Sequence, residues 1–267
     1  CPVAKRPRHA DLRPLRGVRD VAGERGLGIL GRGFVGALLP VQCAGCRAWD
    51  EVLCPSCRRR AQAEPIPTVV DGARGDLPAL AMGDYAGSLR RIILAAKHSS
   101  HTDLSDFLDE AGARLGTALG GVLGVVGSPA AAVGMSVGRV PSTGSAVDVW
   151  VVPAPSSWKR RLRGRQVALP LARAVARALA AGARPGVRVR VVDAARLRVG
   201  ATSQSGKAGA QRTVGRMGSM RALAVPGPGV RVVAVDDVVT TGATVREMER
   251  VLGGLDAVVT LCRPGLI

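Results

Sequence analysis

Residues 232–244, Val-Val-Ala-Val-Asp-Asp-Val-Val-Thr-Thr-Gly-Ala-Thr, constrain the fold more than any other stretch of the chain. An apolar β-branched run reads as a strand buried on both faces, and such strands belong to parallel sheets covered by helices. Two carboxylates, Asp236 and Asp237, stand at its carboxyl end, where open α/β sheets bind their ligands. A small polar turn and a helical pattern over 243–252 follow. The start of such a helix offers backbone N–H groups and a positive dipole end to a phosphate. Gly242 allows close backbone approach, Ala243 opens the helix, and Thr240, Thr241 and Thr244 add hydroxyl donors. Adjacent acids in front suit ribose hydroxyls or a metal-bridged diphosphate.

The second half repeats this rhythm. Apolar runs at 147–152, 187–192, 230–235 and 257–261 read as strands, and 170–181 and 243–252 as helices. Pro170 is tolerable in a first helical turn. Upstream, 80–85 reads as a short strand and 88–97 as a helix with Leu89, Ile92, Ile93 and Ala96 on one face. A further helix is expected over 102–119, with Thr102 as its N-cap candidate. The fold class expected is therefore α/β, a mostly parallel sheet with flanking helices. Residues 1–37 read as a disordered basic segment with a short helix over 28–39, and 58–76 as a linker. The main domain is expected over 79–267, with a flexible insert at about 121–146 rich in Gly, Ala, Val and Ser.

Cys43-x2-Cys46 and Cys54-x2-Cys57 are separated by seven residues, a spacing that suits two knuckles around one tetrahedral zinc. Four thiolates leave no open position, so a zinc module over 38–64 would be structural. Cys262 ends an apolar run and reads as a small buried hydrophobe. Four clustered cysteines with metal-type spacing argue against a disulfide scaffold and fit a reducing cytoplasm.

A net charge of +18 favours phosphates, nucleic acid or anionic surfaces as partners. Five cations fall within the arm Trp158-Lys159-Arg160-Arg161-Leu162-Arg163-Gly164-Arg165-Gln166. They could neutralise pyrophosphate or grip a DNA backbone, and Trp158 could stack a base. His98 and His101 are expected to face solvent. Residues 115–138 carry no charge over 24 positions, but Pro129 and many glycines argue for a helix end and a loop rather than a membrane span.

The 232–244 string resembles the phosphoribosyl-pyrophosphate (PRPP) motif of type I phosphoribosyltransferases. That resemblance implies Asp236 and Asp237 on ribose, and Thr240, Thr241, Gly242, Ala243 and Thr244 on the 5-phosphate. The turn Pro153-Ala154-Pro155 resembles that family's pyrophosphate loop, whose backbone N–H groups would face an anion. Taken with the four cysteines, the chain resembles the ComF family, competence-associated phosphoribosyltransferase-like proteins. Tyr85, Gly87, Leu89, Arg90 and Lys97 resemble its aromatic-Gly-Leu-Arg…Lys segment, and Gln204 and Arg212 a later Gln…Arg pair. Departures occur at Arg165-Gln166, where the family has an aromatic and an Asn, and at Thr213.

The resemblance implies a type I phosphoribosyltransferase-like sheet with a zinc-ribbon-like module. It implies structural zinc, and Mg²⁺ arriving with PRPP. Asp236, Asp237 and Arg163 become the catalytic candidates, with Lys159, Arg160 or Arg163 closing as a lid over pyrophosphate. The role implied is binding of PRPP or another ribose phosphate, linked to DNA uptake in natural transformation. The alternative is a non-catalytic accessory factor that binds single-stranded DNA or competence proteins such as a helicase.

Overall fold

The structure, a computed structural model, describes residues 18–19, 41–99, 102–126, 146–157, 161, 166–198 and 218–264. Its centre is a seven-stranded sheet in the order β1-β5-β4-β8-β9-β3-β2. The strands are β1 (Val18–Arg19), β2 (Ile66–Asp71), β3 (Asp76–Asp84), β4 (Val147–Pro153), β5 (Val187–Val192), β8 (Arg231–Val238) and β9 (Ala257–Arg263). A separate antiparallel hairpin pairs β6 (Ala195–Leu197) with β7 (Met220–Ala222). The five inner strands are mutually parallel, and only the edges, β1 and β2, run antiparallel to their neighbours.

Alternation along these strands sorts their side chains onto two faces. Val149, Val151, Val233, Val235, Val259 and Leu261 enter one core with helices α2 (Gly87–His98), α3 (Ser105–Val122) and α4 (Ala168–Gly182). Val152, Val232 and Ala234 face the other side, against Met248 and Leu252 of α5 (Ala243–Leu252). The sheet is thus covered on both faces, which a β-branched parallel sheet requires. Among the described residues Phe107 is the one fully buried aromatic, so the packing is aliphatic.

Helices α3 and α4 meet through a stripe of small residues. A Cβ at Gly112 would lie 2.4 Å from the Ala174 Cβ, and one at Gly116 would lie 2.4 Å from the Val175 carbonyl oxygen. The glycines at 112, 116 and 120 recur at i, i+4, one row of a helix surface. What the sequence presents as weak helix formers is therefore the contact row that lets two backbones approach. No helix among the described residues is long and apolar enough to cross a membrane.

Several boundaries differ from the sequence reading. Part of the expected linker 58–76 is a strand: β2 pairs residue by residue with β3, from Ile66↔Ala81 to Asp71↔Asp76. Its Pro67 is tolerated because β2 is an edge strand. Ile66–Asp71 thus adds an edge strand to the sheet ahead of residue 79, the expected start of the main domain. Val18 and Arg19, expected to be disordered, pair with Val192 and Val191. Thr102 does not cap α3. Its hydroxyl bonds that of Ser99, while Asp103 Oδ1 accepts from the Ser105 N–H and hydroxyl. Of the expected insert at 121–146, Val126 is placed by a bridge to Ala183, and 127–145 lie outside the described residues. The short helix expected over 28–39 also lies outside them.

Candidate functional site

The connections of the sheet locate a crevice. From β4 the chain runs through α4 to β5 on one side, and from β8 through α5 to β9 on the other. β4 and β8 are adjacent and parallel, so their carboxyl ends flank the point where the winding reverses. That is where open α/β sheets leave room for a ligand. Asp236 and Asp237 stand at the end of β8, and Pro153 ends β4.

The turn after β8 is held by long-range contacts. The Val239 N–H donates to the Cys262 carbonyl at 3.0 Å. Gly242 takes φ 67°, a left-handed conformation that favours glycine, and a Cβ there would lie 2.8 Å from the Asp71 carbonyl oxygen. Arg246 clamps the turn to β2: its guanidinium donates to the Thr241 carbonyl at 2.6 Å and to the Asp71 carboxylate at 2.6 Å. The N-cap of α5 is Gly242, which has no side chain with which to cap the helix start. The turn and first helical residues line an open concavity of about 110 Å³ together with Asp236, Val238, Val239 and Val245. Thr240, Thr241, Gly242, Ala243 and Thr244 all belong to that lining.

The acids are not equivalent. Asp236 Oδ1 accepts the Asp237 N–H at 2.8 Å, and Asp237 Oδ1 accepts from Lys97 Nζ at 2.8 Å. Below them Cys262 is fully buried. Burial, then the negative charges of Asp237 and Asp84, push its thiol up to about 12, so it stays neutral.

Pro153, Ala154 and Pro155 sit beside the concavity without lining it. Proline has no N–H, and the Ala154 N–H donates to the Val235 carbonyl at 2.7 Å. The turn's donor is spent inside the sheet and is not aimed at an anion. Arg161 forms a two-point pair with Asp193 just beyond β5, at 2.8 and 3.0 Å. Trp158, Lys159, Arg160 and Arg163 lie outside the described residues, as do His101, Gln204 and Arg212. His98 is exposed.

The cysteines form the second centre. The sulfurs of Cys43, Cys46, Cys54 and Cys57 lie within 4.8 Å of one another. A Zn–S bond of about 2.3 Å requires tetrahedral sulfurs about 3.8 Å apart, so the set can close around one such ion. Backbone geometry builds the cage. Arg47 and Asp50 adopt φ near 70°, the Cys43 N–H donates to Ala48, and the Cys57 N–H donates to Cys54 at the start of α1 (Pro55–Arg58). A Cβ at Gly45 would fall 2.4 Å from Cys57 Sγ.

The donor set also fits a cation electrostatically. Burial opposes charge at Cys43, but N–H groups of Cys54, Cys46 and Gly45 outweigh it and draw the thiol down to about 6. Burial drives Cys57 the opposite way. Four such sulfurs ionise together only around a positive ion. The module is part of the main core: Cys43 and Cys57 pack in one cluster with Ile92 and Ile93, and Arg91 donates to the Gly45 carbonyl.

Sequence reasoning missed the roles of Lys97, Arg246 and Asp71. In the sequence Lys97 stands out only as part of the aromatic-Gly-Leu-Arg…Lys segment, and Asp71 falls inside the expected linker. No protein-family model matches this chain, and no curated protein matches it.

Proposed function

We propose that the crevice at the end of β8 binds a ribose phosphate, PRPP with its Mg²⁺ being the ligand that the motif suggests. The observation that carries this reading is one concavity at the winding reversal, lined by Asp236, a glycine in the left-handed region and a helix start, with Asp237 next to Asp236. The helix start and its threonines would take the 5-phosphate, and the acids would accept from ribose hydroxyls. Chemistry at C1 would rest on positioning and on stabilising the departing diphosphate. Arg163 and its neighbouring cations are the groups proposed to close over that diphosphate. The four-cysteine module would hold structural zinc, and the role in DNA uptake belongs to this same proposal.

Titration of PRPP with Mg²⁺ into the zinc-loaded chain by calorimetry tests it. Saturable binding is expected, lost in an Asp236→Asn/Asp237→Asn variant. A folded, zinc-containing wild type that binds no PRPP would sink the proposal. A second reading, single-stranded DNA binding without turnover, is favoured by the net charge of +18. It predicts DNA affinity that falls steeply with salt and survives the double Asn variant.

A further inference from the structure

Lys97 sits in the last turn of α2, 140 positions before Asp237, yet its ammonium lies 2.8 Å from that carboxylate. Both side chains are only 16 % exposed, so the pair is partly withdrawn from solvent screening. The surroundings reinforce it. The neutral Cys262 thiol lies nearby and carries no competing charge. Asp84, a further carboxylate near Cys262, takes Arg263 as its partner at 2.9 Å. Lys97 is therefore the cation assigned to Asp237, and Asp237 in turn donates its N–H to Asp236.

We infer that Lys97 is the positioning residue of the acid pair: it fixes the Asp237 carboxylate and keeps divalent cations off it. This rests on the ribose-phosphate reading of the site. A Mg²⁺ ion binds carboxylate oxygens at about 2.0–2.1 Å. Arriving there, it would meet an ammonium already seated on the same group, and like charges at that separation repel. Asp237 is thereby reserved as a hydrogen-bond acceptor for a ribose hydroxyl.

The test measures Mn²⁺ alone, by the loss of its free-ion electron paramagnetic resonance signal, and PRPP with Mg²⁺ by calorimetry. Wild type, Lys97→Met, Lys97→Gln and Lys97→Arg are compared, with Asp237→Asn added to each. Zinc content and thermal unfolding confirm that each is folded. Wild type is expected to take up no Mn²⁺ at the acid pair. Lys97→Met and Lys97→Gln should gain Mn²⁺ uptake by about tenfold or more, removed by Asp237→Asn, and should weaken PRPP by a similar factor. Lys97→Arg, which keeps the charge, should restore PRPP binding. Uptake of Mn²⁺ by wild type that depends on Asp237, or no gain in either neutral variant, overturns the inference. If wild type binds no PRPP, the ribose-phosphate reading fails alone, and the Mn²⁺ comparison still decides the role of Lys97.

Discussion

Gly45 shows how much one residue can depend on a neighbour that the linear chain does not reveal. Between two cysteines a glycine looks like ordinary turn chemistry. In the structure, its missing side chain is the space occupied by the Cys57 sulfur, with the Ile92 side chain just behind. The sulfur cannot yield without leaving the metal cage. Gly45→Ala is therefore expected to cost about 1–3 kcal/mol, as overpacking does, and to lower zinc affinity. Zinc content by mass spectrometry under native conditions and urea unfolding check both. The cysteines themselves were legible because two paired spacings are a local pattern. Gly45 was not, because its constraint comes from Cys57, on the other knuckle.

At the scale of elements, α5 is tied to the β6–β7 hairpin by a buried acid. Glu247 is 3 % exposed, accepts the Met220 N–H at 2.9 Å and is bridged by Arg250 at 2.8 Å. Burial would raise its carboxyl, but the Arg250 guanidinium and the backbone N–H groups of Met220 and Gly218 prevail and hold it below the ordinary 4.5. An acid lowered in the folded state adds stability that is complete above 4.5 and is lost as pH falls through the folded value. Stability should thus decline on acidification below about pH 4.5. Glu247→Gln should lose about 1.5–3 kcal/mol at pH 7, the worth of hydrogen bonds to a charged group, and show a shallower acid decline. Urea midpoints at pH 7 and pH 3 measure both effects. The helix itself was readable from its periodicity. That Glu247 faces inward was not, since an acid on a helix reads as solvent-facing until a partner is known.

For the whole molecule, the four-cysteine module is built into the domain rather than appended to it. Cys43, Cys57 and Ala61 share a core with Phe107 and Ile93, and Gln62 donates to Glu110 of α3 at 2.6 Å. With zinc on these four sulfurs, as proposed, its removal by a chelator should therefore lower the melting of the entire domain in a single transition. The drop expected is about 2–4 °C for each kcal/mol of stabilisation that the metal supplies. Two separate transitions in calorimetry, with the main one unmoved, would show instead that the module folds apart. The sequence by itself determined the inner strands, the flanking helices, the cysteine pairs and the turn after β8. Each of these is written in neighbouring residues, as a β-branched run, a helical period or a fixed spacing. Only the tertiary structure decided that Lys97 serves Asp237, that Arg246 clamps the turn to Asp71, that Ala154 spends its N–H on Val235 and that β2 completes the sheet. These depend on which segments become neighbours in space. Sheet order and helix docking set those neighbours, and both are settled by how the two apolar faces are covered rather than by any local pattern.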